Sequence, residues 1–103
     1  MMNRITPSIV LDLVAEFFNV TVDQLKGLSV EYPLPDARSV YFNFCDSLCD
    51  RRVFSTKYLA KLVGKKANNA SQWRCKLVND PSFKNTYDDF KLYFNDMNNV
   101  RKD

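Results

Sequence analysis

Apolar side chains recur at intervals of three and four residues along most of this chain, and little interrupts them. Only two glycines and four prolines punctuate its 103 residues, and alternating runs of β-branched residues are scarce. That periodicity supplies one buried face to a helix and none to a strand, so an all-α fold is expected. The apolar fraction of 46%, with 14% aromatic residues, suffices for one modest core, and a single domain spanning 1–103 follows.

Caps and stops divide the chain into six helices. Thr6 and Pro7 open the first, which places Ile9, Val10, Leu13, Val14, Phe17 and Phe18 on one face and Asp12 and Glu16 on the other. Asn19 breaks the pattern. Thr21 and Gln24 form a capping box for a short second helix, with Val20 against Leu25 as a hydrophobic staple and Gly27 as its close. Pro33 and Pro35 hold Leu28 to Pro35 in an extended loop. Asp36 is the expected cap of a third helix, whose buried stripe is Val40, Tyr41, Phe44, Cys45 and Leu48. Ser55 caps a fourth, with an apolar stripe of Tyr58, Leu59, Leu62 and Val63, and Gly64 ends it by its access to positive φ. Asn68 or Asn69 caps a fifth, which buries Ala70, Trp73 and Leu77 and leaves Arg74 and Lys76 in solvent. Asn79, Asp80 and Pro81 stop it, because proline cannot continue a helix. Phe83, Tyr87, Phe90, Phe94 and Met97 mark the last. The fourth and fifth helices, about residues 55–79, read as a helix-turn-helix.

Charge is divided unevenly over this frame. Between Arg51 and Val78 stand eight basic residues, Arg51, Arg52, Lys57, Lys61, Lys65, Lys66, Arg74 and Lys76, and no acidic one. The remainder of the chain holds seven basic residues against all twelve acidic ones. A basic segment in an otherwise acidic small domain reads as a face aimed at a polyanion.

Other classes of function find little support. Histidine is absent, which removes the commonest general base and metal ligand. Asp88 and Asp89 are adjacent and so splay apart on a helix, and no active site or cofactor site is expected. No G-x-x-x-x-G-K-[ST] loop occurs to cradle a nucleotide phosphate. The apolar N-terminal run is broken by Asp12 and Glu16, so neither a membrane span nor a signal peptide is expected. Cys45, Cys49 and Cys75 lack the spacing of a disulfide framework or a zinc site, and burial as small hydrophobes is the expectation. A cytoplasmic chain is expected.

The residues from Val14 to Leu25, VAEFFNVTVDQL, carry a family resemblance. They resemble the opening motif V-A-E-Y-Y-x-I-x-V-x-D-L of the C-terminal DNA-binding domain of the bacterial replication initiator DnaA. Asp36 to Ser39 falls on that family's R-P-R-Q, with Arg38 retained, and Ser55 to Gly64 is similar to its S-L-P-E-I-G-x-x-F-G. The resemblance covers nearly the whole chain and matches the final helix only loosely. It implies a Trp-repressor-like helix-turn-helix, sequence-specific DNA binding and a part in DNA replication or its regulation. The signature G-G-R-D-H-T-T reads here Gly64, Lys65, Lys66, Ala67, Asn68, Asn69 and Ala70, and the family's basic minor-groove loop is Ser29 to Asp36, without Lys or Arg. The scaffold is kept while the sequence-reading residues are replaced.

On this reading Lys66, Asn68, Asn69 and Gln72 face base edges in the major groove, Asn and Gln being suited to adenine. Lys57, Lys61 and Lys65 pair with phosphates, and Arg38 and Ser55 position the backbone. The partner is double-stranded DNA, with no small-molecule substrate. Trp73 is expected in the core rather than as a stacking platform. The aromatic stripe of the final helix fits packing onto the first helix and is also the candidate surface for a protein partner. The alternative function is a protein-protein interaction module on a degenerate DnaA-like scaffold that no longer binds DNA.

Overall fold

The computed structural model describes residues 6–27, 31–48, 55–65 and 70–102. These form six helices and, among the described residues, no strand: α1 (Pro7–Phe18), α2 (Val22–Lys26), α3 (Leu34–Leu48), α4 (Thr56–Leu62), α5 (Ala70–Asn79) and α6 (Pro81–Lys102). The local signals account for most boundaries. The Thr6 hydroxyl accepts from the Ile9 N–H at 3.4 Å, Pro7 takes the first helical position, and Asn19 ends α1 in the left-handed region at φ 57°. In the capping box of α2, Thr21 N–H donates to the Gln24 side chain at 2.8 Å and Gln24 N–H to the Thr21 hydroxyl at 3.0 Å. The Asp80 carboxylate accepts from Phe83 N–H at the start of α6.

α3 is the helix the others surround. Every residue from Ala37 to Cys45 is buried, including Phe42 and the polar Arg38, Ser39 and Asn43. A single stripe of Val40, Tyr41, Phe44, Cys45 and Leu48 therefore understates it. A helix packed by α1, α2, α5 and α6 needs apolar groups all round. Asp36 is not its cap, because α3 begins two residues earlier, at Leu34. Pro35 fits within the first turn, where its missing N–H has no helical partner to lose. Asp36 instead lies near the positive end of the helix and pairs with Lys76 of α5.

The aromatic stripe of α6 closes the other side. Phe83, Tyr87, Phe90 and Phe94 are buried, and the Phe44 ring of α3 lies 5.0 Å from Phe90 and 4.6 Å from Phe94. Phe17 of α1 meets Phe90 edge-on at 5.5 Å. These side chains form the core and are not available to a protein partner. Trp73 is likewise packed inward, stacked on Phe42 at 4.2 Å. Among the described residues no helix is long and apolar enough to cross a membrane.

Candidate nucleic-acid interface

α4 has only seven residues, too few to persist alone, so its packing must hold it. Ser55 caps it through Tyr58 N–H at 3.3 Å, and Leu59, Ala60 and Val63 are buried. The Tyr41 hydroxyl of α3 donates to the Leu59 carbonyl at 2.9 Å. That oxygen is open because the Val63 N–H turns back to Ala60. The inward face is thus Leu59, Ala60 and Val63, and Tyr58, expected in the core, is 41% exposed.

Lys57 and Lys61 stand one turn apart on the outer side of α4, both exposed. Among the described residues neither has an ion-pair partner. Like charges at this spacing cost a helix roughly 0.2–0.5 kcal/mol. The arrangement disfavours the helix slightly and favours an anion lying across it.

α4 ends in a Schellman turn, with Gly64 N–H donating to Lys61 at 3.0 Å and Lys65 N–H to Ala60 at 2.9 Å. Gly64 takes φ 63°, as its place in the sequence predicts. The turn packs on the end of α2, where a Cβ at Gly64 would meet the Lys26 carbonyl oxygen at 3.3 Å. Lys65 is half-buried, and its ammonium donates to the Gly27 carbonyl. Burial, with the Arg38 charge nearby, pushes its pKa below the usual lysine value.

Arg38 is not placed to meet a phosphate in this arrangement. It is 4% exposed and donates to the backbone carbonyls of Leu25 at 2.8 Å, Gln24 at 3.2 Å and Gly27 at 3.0 Å. It caps the open carbonyls of α2, a long-range role that no local pattern announces. Tyr58 is another residue whose place sequence reasoning missed. A stripe of Leu59, Ala60 and Val63 satisfies helical spacing as well as one through Tyr58, and Ala60 was the available signal.

On α5, Lys76 is not simply solvated: it pairs with Asp36 and lies over the Phe83 ring at 5.7 Å. Cys45 is buried as expected but Cys75 is exposed, two residues past the inward Trp73 and hence on the opposite side of the helix. Lys66, Asn68 and Asn69 lie outside the described residues, as do Cys49 and the arginines at 51 and 52, and the Gln72 side chain is likewise not described. An open hollow of about 270 Å³ adjoins Gly27, lined in part by Glu31, Tyr32 and Leu34. Among the described residues no group of His, Cys, Asp and Glu could hold a metal ion. No family model matches the chain, and no curated protein does.

Proposed function

We propose that the protein binds duplex DNA through α4, α5 and the turn between them, as a DnaA-like helix-turn-helix of the Trp-repressor type acting in replication or its regulation. The observation that carries this reading is the outer side of α4. Lys57 and Lys61 are exposed there and, among the described residues, have no acidic partner, inside a stretch of eight basic residues that contains no acid. Lys57, Lys61 and Lys65 contact phosphates, with Ser55 at the start of α4. Lys66, Asn68, Asn69 and Gln72 read bases.

Selection of bound sequences from random duplex DNA at moderate ionic strength tests it. A clear consensus is the expected result, and the Lys65→Glu/Lys66→Glu double variant is expected to lose retention. Because Lys65 also touches Gly27, Lys57→Glu/Lys61→Glu serves as a second variant outside that contact. The burial of Arg38, together with a Ser29 to Asp36 segment free of Lys and Arg, favours one other reading, a protein-interaction module on the same scaffold. No DNA retention even at low salt, with an acidic protein partner co-purifying, would select it.

A further inference from the structure

The carbonyl of Gly27 receives two cations. Arg38 Nη2 reaches it at 3.0 Å from inside the molecule, and the Lys65 ammonium reaches it from the end of α4. Arg38 also holds two earlier carbonyls at the end of α2, those of Gln24 and Leu25, so its guanidinium ties the Gly27 oxygen to the last turn of that helix. A neutral oxygen accepts from one of an ammonium's N–H groups but does not neutralise its charge, and a phosphate oxygen is the stronger partner. A buried carbonyl abandoned by its only donor would cost free energy. Gly27 is not in that position, because its carbonyl accepts from Arg38 as well as from Lys65.

From this we infer that Arg38 is a positioning residue for DNA binding: it holds the Gly27 carbonyl that parks Lys65 beside the basic turn, and keeps that carbonyl satisfied when Lys65 transfers to a phosphate. This rests on the DNA reading above and differs from it in giving Arg38 no contact with DNA. The pKa of Lys65 is depressed first by burial and then by the Arg38 charge, which accords with a cation left short of compensation.

A double-mutant cycle with Arg38→Lys and Lys65→Gln tests the inference, with duplex affinity measured across salt concentrations and thermal stability alongside. Each single variant is expected to lose roughly fivefold to tenfold in affinity. Each should also reduce the salt slope by about one phosphate. The double variant should bind no more weakly than Lys65→Gln. Additive losses, with the slope reduced by about two, would overturn the inference, because Arg38 would then contact a phosphate itself. So would a lowered melting temperature with affinity and slope unchanged, which is a purely structural role. If the wild-type chain shows no salt-sensitive binding, the DNA reading fails and this role goes with it, an outcome distinct from the other two because they require a wild-type chain that binds. Should Arg38→Lys fail to fold, the wild-type complex decides by NMR. The Lys65 Nζ resonance should move on adding duplex while Arg38 Nε–H stays protected, and a large shift of Arg38 Nε would overturn the inference.

Discussion

At Gly64 two constraints fall on one atom. Its φ of 63° is strained for any residue with a Cβ, and a Cβ there would press on the Lys26 carbonyl oxygen at 3.3 Å. Gly64→Ala is therefore expected to destabilise the fold by about 1–2 kcal/mol. For a domain of this size that lowers the melting temperature by roughly 4–16 °C, measurable by thermal unfolding. Tyr87 makes a second prediction. Burial raises its pKa above the ordinary value near 10, against the opposing pull of its Ser47 hydrogen bond and Lys91. Its contribution is fully present below pH 10 and is lost as pH rises through the folded pKa, because the unfolded chain ionises first. Lys65, whose pKa is lowered, acts in the opposite sense as pH approaches 10.5. Denaturant titrations of wild type and Tyr87→Phe separate the two, and the variant should lose less stability between pH 9 and pH 11. At this scale the legible residues were those whose role is local. Gly64, Thr6, Thr21 and Ser55 act within a turn of their own position. Arg38 acts on carbonyls 11 to 14 residues away, which sequence spacing does not display.

The elements follow the same division. Six helices could be read from caps and apolar spacing, and the stripe of α6 could be read as core because a small chain needs that area. What spacing could not supply was the rank of α3. A stripe of Val40, Tyr41, Phe44, Cys45 and Leu48 marks a helix with one buried face, and burial of Phe42 and Asn43 as well depends on α5 lying against the other side. Asn43 shows how that contact is held. Its side-chain amide donates to Ser39 within α3 and to the Trp73 carbonyl of α5 at 3.0 Å. Asn43→Ala should cost about 1–3 kcal/mol through the groups it leaves unpaired. Faster amide exchange in α5 than in α1 would trace that loss to the α3–α5 contact, whereas uniform exchange would assign it to the core at large. Phe90, which meets both Phe17 and Phe44, should cost about 3–5 kcal/mol on replacement by alanine.

For the molecule as a whole, what matters is how charge is distributed over the fold. The described acidic groups include a cluster on α6, where Asp88 is paired with Lys84 and Lys91 and held below the usual carboxylate range by those two partners. Lys57 and Lys61 have no such counterparts among the described residues. The basic stretch was plain in the sequence. Its division into working parts was not: Lys76 is paired with Asp36, Lys65 donates to Gly27, and the two lysines of α4 are exposed. The most direct test is the affinity of the intact chain for random duplex DNA, measured at a series of salt concentrations from about 50 to 200 mM. Several phosphate contacts predict log affinity falling linearly with log salt, with a slope near −0.9 per contact, and a shallower slope for Lys57→Glu/Lys61→Glu. A chain that fails to bind at the lowest salt, or binds with an affinity that salt does not change, contradicts the account.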